Sequence, residues 1–555
     1  SSPMEGAHGV IIQGVVVGDF QDSATQLGGF YLQEEEAEVD TSLETSEGIF
    51  VDEGSLDVNQ GDVVRVQGDV TESFGLTELT NITHVAVCSS GASVAATEVV
   101  LPVDTVGDLE SLEGMLVTFP ETLYATDTSD LGQYGEVWVS DNGRQFSPTQ
   151  VATPGAAANA LQDRNDRSRM LVDDGSNIEN PSTLPYLAPD NTLRLGDTVE
   201  NLTGVLDFGS GQYRLQPTEP TTFNRANRRP DAPDDVGGSL GVASFNASSY
   251  CNGDGRGGGF PTPCGAQSLA EFERQRTKIV VALGALGADV VGLVGIENDG
   301  YGSDSAISGL VDALNAATSP GTYAFVDPGV DQVGSSEIAV GFVYKPATVT
   351  TVGPAAILDS TVDPRFDDVR NRPSLVQSFQ ERTTGERFAA VVNHFKSKDS
   401  VCDDVGDPDT GDGQGNCNVT RTQAAAALVD WLATDPTGSG DPDFLILGDL
   451  NAYAQEDPIN EIKRGGYTDL VDAFIGESAY SYVYDGQAGY LDHALANGSL
   501  APQVVGTTIW RINADEPRAL DYNDDRLDSG EGPDSVNPAY LYRPDAYRSS
   551  DHDPI

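Results

Sequence analysis

The stretch Phe444-Leu445-Ile446-Leu447-Gly448-Asp449-Leu450-Asn451 is the most informative part of this 555-residue chain. Four consecutive apolar residues run into a glycine and two polar groups that can bind metal or move protons. A short continuous apolar run is typical of a strand buried on both faces, and such strands occur in sheets covered by helices. Because strand ends hold side chains rigidly, we expect Asp449 and Asn451 to belong to a site.

Similar segments precede this strand in the chain. Further short apolar runs occupy residues 242–245, 290–294 and 388–392. Apolar residues at helical spacing occupy residues 268–286, 306–316 and 420–432. Buried strands that alternate with helices predict one large α/β domain, which we place at residues 239–555.

The first half of the chain has a different pattern. Short runs that alternate apolar and polar residues, punctuated by Gly, Asp and Asn, predict a small β-barrel over residues 1–95. A second β-rich module is expected over residues 96–223. The Pro-rich and charged segment 224–238 is typical of a linker. The fold class is therefore multidomain, with an all-β N-terminal part and an α/β C-terminal domain.

The charge balance is extreme, with 87 acidic against 30 basic residues and a net charge of -57. Such a surface repels polyanions unless salt screens it, so we interpret the acidity as a halophilic adaptation to a saline medium. No apolar stretch is long enough to span a membrane. Ser1 does not open a signal peptide, and we expect a secreted protein whose signal has been removed.

Four of the five cysteines form two close pairs, Cys251 with Cys264 and Cys402 with Cys417. The spacing predicts two local disulfides, each worth about 3 kcal/mol in the chain-entropy model, and therefore an oxidising compartment. Zinc binding is the alternative for either pair. The fifth residue, Cys88, is expected to be a free thiol in the interior.

Other polar groups near buried runs could share a site with Asp449. They are Asn246, Asn393-His394, Leu491-Asp492-His493 and Ser550-Asp551-His552. Phosphodiester hydrolysis needs carboxylate and amide oxygens around a hard divalent cation, together with histidines that move protons. Each pair alone is also typical of ordinary structural turns. Their convergence on one pocket is the prediction on which the functional interpretation depends.

Taken in order, these motifs resemble the exonuclease-endonuclease-phosphatase superfamily, and within it the bacterial extracellular endonucleases. The resemblance lies in Ser244-Phe245-Asn246, residues 271–278, 393–398, 411–415 and 446–453, Gly489-Tyr490-Leu491-Asp492-His493 and Ser550-Asp551-His552. Residues 29–33, 46–51 and 72–77 are similar to that family's oligonucleotide/oligosaccharide-binding-fold module. The resemblance implies a deoxyribonuclease-I-like four-layer sandwich behind this barrel.

The resemblance also implies roles for single residues. His552, oriented by Asp551, would activate water, and His394 would act at the leaving oxygen. Asp449 and Asn451 would position water and the phosphoryl oxygens. Asp492 and Asn246 would complete the polar ring, and the guanidinium of Arg372 would grip a phosphate.

The implied metal site departs from the family pattern. The family places a glutamate after Asp289-Val290-Val291-Gly292-Leu293-Val294, but this chain has Gly295. Asn246 and Asp551 would be the remaining ligands for Mg²⁺ or Mn²⁺, and we do not expect Glu297, two residues further on, to substitute. Glycine also weakens a buried strand, so strand propensity does not explain it. Gly295 would then reflect an inactivating substitution or a natural variant of lower activity.

A second cation site is considered in the loop between Cys402 and Cys417. Asp407, Asp409 and Asp412 give this loop the oxygen density of a calcium site. A solvated acidic loop is the alternative.

We therefore expect a secreted, metal-dependent, monomeric endonuclease of low activity that acts on extracellular DNA, with RNA as a further substrate. Two alternatives stay open. The same fold could hydrolyse lipid or inositol phosphates, because fold does not fix substrate. The chain could also be a non-catalytic protein that binds extracellular DNA.

Overall fold

The computed structural model describes residues 4–39, 42, 45–53, 56–523 and 541–555. The N-terminal region is a closed five-stranded β-barrel with strand order β1-β2-β3-β5-β4. Its strands are β1 (Val10–Phe20), β2 (Gly29–Gln33), β3 (Gly48–Val51), β4 (Asp62–Ser73) and β5 (Leu76–Ser90). The barrel encloses a core that includes Phe30, Leu32, Val51, Val64 and Leu79, all of which are buried.

The second module is built on an eight-stranded sheet of order β12-β8-β9-β11-β14-β13-β7-β6. Its elements are β6 (Thr97–Glu98), β7 (Leu116–Phe119), β8 (Leu123–Asp127), β9 (Val137–Ser140), β10 (Gln145–Phe146), α1 (Pro148–Val151), α2 (Ala156–Arg167), β11 (Arg169–Val172), β12 (Thr198–Val199), β13 (Leu202–Gly209) and β14 (Gln212–Pro217). Strand β10 leaves this sheet and pairs with the C-terminal domain instead.

The C-terminal domain contains a four-stranded sheet, β15-β16-β18-β17, and a six-stranded sheet, β19-β20-β21-β22-β26-β23. The strands are β15 (Val242–Tyr250), β16 (Val290–Glu297), β17 (Ala324–Phe325), β18 (Ile338–Tyr344), β19 (Val349–Leu358), β20 (Arg372–Glu381), β21 (Arg387–His394), β22 (Phe444–Asp449), β23 (Tyr467–Asp469), β24 (Tyr482–Tyr484), β25 (Gln487–Gly489) and β26 (Asp492–Asn497). The helices are α3 (Leu269–Leu286), α4 (Ala306–Ala317), α5 (Asn418–Leu432), α6 (Asp457–Arg464) and α7 (Leu470–Phe474).

The two sheets of this domain share one apolar cluster, to which β16 contributes Val294 and β22 contributes Leu447. Helices α3 and α4 pack in a second cluster with residues of β15 and β16, whereas α5 and α6 pack in a third with β21 and β22. Because both faces of strands β15, β16, β21 and β22 are buried, their sequences are continuous apolar runs. The predicted helices at 268–286, 306–316 and 420–432 are confirmed to within two residues at each end.

Both predicted disulfides, Cys251–Cys264 and Cys402–Cys417, are present, so neither pair is left for zinc. The prediction for Cys88 is wrong: this free cysteine is exposed, because it lies in the outward-facing end of β5. Across the described ranges, every helix is too short or too polar to cross a bilayer.

Charged side chains of the second module are buried against the C-terminal domain. Arg194, which is 0% exposed, forms ion pairs with Asp515 and Glu516. Segment 224–238, predicted as a linker, takes part in this junction, because Arg229 also pairs with Glu516 at 2.6 Å. Strand β10 runs parallel to β25 in a three-stranded sheet that includes β24. The second module is therefore bonded to the domain that carries the predicted site.

Candidate active site

A cavity of about 630 Å³ opens where the strands of both C-terminal sheets end. Most of the sequence-predicted site residues line it. They are Asn246, Gly295, Arg372, His394, Asp449, Asn451, Asp551 and His552. Residues that are far apart in the chain thus meet at one pocket.

Strand register explains how three of the polar groups meet. His394 is paired with Asp449 across parallel strands β21 and β22, and Asp449 is paired with Asp492 across antiparallel strands β22 and β26. Gly448 is required here, because its φ is 109° and a Cβ would lie 2.3 Å from the Asn393 carbonyl oxygen. Gly448 therefore lets β22 approach β21 closely. The next residue, Asp449, is placed beside His394 as a result.

His552 and Asp492 form the shortest polar contact among the predicted catalytic groups. The Nδ1 atom of His552 lies 2.7 Å from Oδ2 of Asp492, which also accepts a hydrogen bond from the Ser481 hydroxyl. The Tyr482 ring stacks on the imidazole with 4.5 Å between centroids. Asp551, the predicted orienting group, lies 4.0 Å from the opposite nitrogen, Nε2. Asp492, rather than the predicted Asp551, is therefore the carboxylate within hydrogen-bond distance of the imidazole.

The two histidines of the pocket have opposite pKa shifts. Burial alone would lower the pKa of His552, but the carboxylates of Asp492 and Asp551 outweigh it and raise the pKa to about 10. Burial and the nearby positive charge of Arg372 hold the pKa of His394 well below its usual range. At neutral pH the pocket therefore contains an imidazolium at His552 and a neutral imidazole at His394.

Asp449 lies between these histidines. Its Oδ2 atom is 3.9 Å from Nε2 of His394 and accepts a hydrogen bond of 3.3 Å from the Asn246 amide. Its Oδ1 atom accepts a 2.9 Å hydrogen bond from the backbone N–H of Asn451. Burial raises the pKa of Asp449, and the carboxylate of Asp492 adds to this effect. Asp449, on the six-stranded sheet, is thus hydrogen-bonded to Asn246 on the four-stranded sheet.

Gly295 lies at an irregularity where the register of β16 against β18 shifts between Val294 and Ile296. Its φ of 75° is in the left-handed region that favours glycine, and an added Cβ would lie 3.1 Å from the backbone nitrogen of Ser249. Strand propensity does not explain this glycine, but the left-handed backbone at the pairing irregularity favours it. Glu297 accepts a hydrogen bond from the Asn252 N–H at 2.6 Å, so its carboxylate is engaged at another backbone segment.

The implied magnesium site keeps only part of its predicted ligand set in this chain. Within the described ranges, no group of three His, Cys, Asp or Glu side chains could hold a metal ion. The Asn246 amide is used twice, since its oxygen accepts from Ser248 N–H and its nitrogen donates to Asp449. With no side chain at Gly295, Asp551 is the one carboxylate among the three predicted ligands.

The predicted calcium loop also has no shared ligand cluster among the described residues. Asp407 accepts hydrogen bonds from the backbone of Val419 and Thr420 and so caps α5. Asp409 accepts from Gly411 N–H, and Asp412 accepts from the backbone and side chain of Gln414. The carboxylate oxygens that suggested a calcium site instead accept hydrogen bonds within the loop and at the start of α5.

Several pocket residues had no signal in the sequence. Tyr482 and Ser481 support the His552–Asp492 pair, but nothing near them in the chain marks them. Ser147, Asn159 and Gln162 line the same cavity from the second module. Conversely, His493, which was adjacent to a predicted residue, is 0% exposed and its Nε2 contacts the Ala452 carbonyl oxygen at 2.8 Å. It belongs to the core.

Solved structures similar to this chain have low identity. They include the human Nocturnin catalytic domain with bound sulfate (14% identity, 47% of this chain, 83% of that chain, TM-score 0.31). A mannosyl-6-phosphatase of Bacteroides thetaiotaomicron matches at 14% (47% and 86% of the chains, TM-score 0.31). An endonuclease/exonuclease/phosphatase of Bacteroides vulgatus matches at 13% (57% and 96%, TM-score 0.32). No curated protein matches.

Two family models match successive parts of the chain. Residues 91–225 match a domain of unknown function, DUF8508. Residues 243–552, more than half of the chain, match the Endonuclease/Exonuclease/phosphatase family. This second match spans every predicted catalytic residue from Asn246 to His552. The chain belongs to the Endonuclease/Exonuclease/phosphatase family.

Proposed function

We propose that this chain is an extracellular nuclease of low activity that hydrolyses phosphodiester bonds of DNA and, secondarily, RNA. The observation that carries the proposal is the convergence of His394, Asp449, Asn451 and the His552–Asp492 pair on one cavity. Arg372 lines the same cavity and supplies a guanidinium for a phosphate. Hydrolase activity agrees with the family, which contains nucleases and phosphatases.

The charges of the two histidines suggest how they divide the proton transfers. Neutral His394 can accept the proton of the attacking water as its oxygen bonds to phosphorus. The imidazolium of His552, held by Asp492, can donate its proton to the leaving oxygen as the phosphorus–oxygen bond breaks. This assignment reverses the roles that the family resemblance implied, and it follows from the 2.7 Å contact between His552 and Asp492, which favours the protonated ring.

Enzymes of this family typically use divalent metal ions, and Mg²⁺ or Mn²⁺ is the expected cofactor. In this chain Gly295 removes a carboxylate from the implied site, which supports a reduced rate. Location outside the cell is supported by the two disulfides, which persist in oxidising compartments. The net charge of -57 supports a saline medium, in which a polyanionic substrate is less strongly repelled.

A substrate panel tests the proposal. Purified protein is incubated with supercoiled plasmid, RNA, bis(p-nitrophenyl) phosphate and inositol phosphate, each with Mg²⁺ or with EDTA. We expect Mg²⁺-dependent cleavage of the plasmid and the small diester that His552→Ala abolishes and His84→Ala retains, because His84 is exposed on the barrel. Hydrolysis of inositol phosphate alone would favour the phosphatase alternative. Plasmid binding without any turnover would favour the non-catalytic one.

A further inference from the structure

We propose that Tyr484 is a stacking platform for an unpaired base, so that the substrate segment beside the catalytic cavity is single-stranded nucleic acid. This inference rests on the proposed function and names its substrate class. Tyr484 is 53% exposed, although it lies on a well-bonded hairpin. Its ring lies at the boundary of two cavities.

The position of Tyr484 links the catalytic cavity to a second one of about 640 Å³. Both cavities are lined by Tyr482, Tyr484 and Asp551. Tyr482 lies two residues before Tyr484 on β24 and stacks on His552. The ring of Tyr484 therefore lies where a nucleic-acid strand could extend from the catalytic cavity into the second one.

The hairpin that carries Tyr484 is held firmly by the second module. Its turn, Asp485-Gly486, has φ of 47° and 72°, as expected for the tight turn that Asp-Gly favours. Arg169 donates to both carboxylate oxygens of Asp485, at 2.9 and 3.3 Å, while its guanidinium lies over the Trp138 ring. An exposed ring on a well-held backbone has only its own side-chain torsions to order when it binds a ligand, so the entropic cost of binding is small.

The second module adds a further constraint on the same hairpin. Strand β10 pairs with β25, and the Asn165 amide donates to the Gln487 side chain at 2.9 Å. Gln487 faces Tyr484 across the hairpin. The domain of unknown function thus acquires a role, which is to fix the hairpin beside the active site.

The charge around Tyr484 favours bases over phosphates as the contact. The second cavity is lined by Asp127, Asp130 and Asp521 as well as by arginines, and the whole chain is strongly acidic. Stacking on an aromatic ring needs no positive charge and accepts any base. In a duplex, neighbouring base pairs cover the faces of each base, so the ring requires an unstacked one. A single-stranded segment offers unstacked bases, and their stacking on the ring does not depend on a positively charged surface.

Binding is measured by fluorescence anisotropy with a fluorescein-labelled oligothymidylate and with a duplex of the same length. EDTA keeps both probes intact, and the salt concentration is held constant. We expect Tyr484→Ala to weaken binding of the single strand by about 5- to 150-fold, which is the range for loss of one stacked base. Tyr484→Phe keeps the ring and is expected to bind as the unmodified protein does.

Tyr134→Ala is the matched control, because Tyr134 is a 38% exposed tyrosine of the second module outside both cavities. Equal binding by Tyr484→Ala and Tyr134→Ala would overturn the inference, as would a loss in Tyr484→Phe equal to that in Tyr484→Ala. Tighter binding of the duplex than of the single strand by the unmodified protein would also overturn it. Hydrolysis of bis(p-nitrophenyl) phosphate, which has no base to stack, decides the proposed function separately.

Discussion

The two sides of the active-site cavity carry different functional groups. One side, here called the histidine edge, consists of the cavity-lining residues His394, Asp449 and His552 together with Asp492, the buried partner of His552. The other, the glycine edge, consists of Asn246 and Gly295 from the four-stranded sheet. The histidine edge holds two buried carboxylates and an imidazole 2.7 Å from one of them, whereas the glycine edge offers one side-chain amide and a bare backbone.

This difference shows that the groups for proton transfer and the groups for a metal are separable parts of one site. His394, Asp449 and Asp492 lie on strands of the six-stranded sheet, and His552 lies in the C-terminal segment. Asn246 and Gly295 lie on the four-stranded sheet. A substitution at position 295 can therefore remove a ligand without displacing the histidines. Variants of the two edges should therefore change the rate of hydrolysis by different amounts, and in opposite directions in some cases.

The largest expected effect is at the histidine edge. His552→Ala removes the group proposed to protonate the leaving oxygen and is expected to lower the rate of diester hydrolysis by about 10²- to 10⁴-fold. Asn246→Ala, at the glycine edge, is expected to lose much less. Rates of bis(p-nitrophenyl) phosphate hydrolysis at saturating Mg²⁺ provide the measurement. Equal losses in the two variants would show that the two edges contribute equally to the rate.

The histidine edge is also supported by the second module. The Asn513 side chain donates to the carbonyl oxygen of His552 at 2.6 Å, and the segment just after it carries Asp515 and Glu516, the partners of Arg194. Arg194→Met would leave two carboxylates with fewer cationic partners in a buried place. Removing one partner of a buried ion pair costs about 3–5 kcal/mol, so we expect a loss of this size in the free energy of unfolding.

Urea unfolding measures that loss, and Arg164→Met, on the exposed surface of α2, is the control. The control should change the free energy of unfolding by no more than about 0.5 kcal/mol. If Arg194→Met were as stable as Arg164→Met, the second module would not support the histidine edge.

Much of the histidine edge could be predicted from the sequence, because its residues follow strong local patterns. The apolar run before Gly448 defines β22, and Asp449 and Asn451 lie next to it in the chain. The choice between Asp492 and Asp551 could not be made this way. Asp551 is adjacent to His552 in the chain but lies 4.0 Å from its Nε2 atom, whereas Asp492, far away in the chain, lies 2.7 Å from Nδ1, so sequence adjacency does not identify the closer carboxylate.

Other features depend on contacts between distant segments and leave no local signal. Arg194 pairs with residues more than three hundred positions away, and Tyr482 meets His552 only after the C-terminal segment has folded back. The backbone of Gly295 is set by a shift in register against a neighbouring strand. A local pattern identifies the strand there but cannot indicate where its pairing becomes irregular.

At the glycine edge the expected change has the opposite sign. Gly295→Glu supplies the carboxylate that the family pattern implies and should raise Mg²⁺-dependent plasmid cleavage by about 10²- to 10³-fold, corresponding to about 3–4 kcal/mol. The left-handed φ of Gly295 makes any side chain costly, by about 1–3 kcal/mol of stability.

Gly295→Gln has the same backbone cost without the charge and is the matched control. Plasmid cleavage and thermal unfolding are measured for both variants. Equal cleavage by the Glu and Gln variants, with equal losses of stability, would show that the carboxylate at this position has no part in activity.

The smallest expected effect concerns the charge of one imidazole. Asp492 lies against His552 and helps to raise its pKa to about 10, so Asp492→Asn should lower that pKa by about 1 to 3. Because the folded pKa lies above the ordinary value of 6.5, this charge stabilises the fold fully below pH 6.5, and the contribution is lost as the pH rises through 10. An NMR titration of the imidazole resonances measures the shift. His394, whose pKa is already lowered, should not become protonated near neutral pH in either protein, and an unchanged His552 titration in Asp492→Asn would mean that Asp551 holds the charge instead.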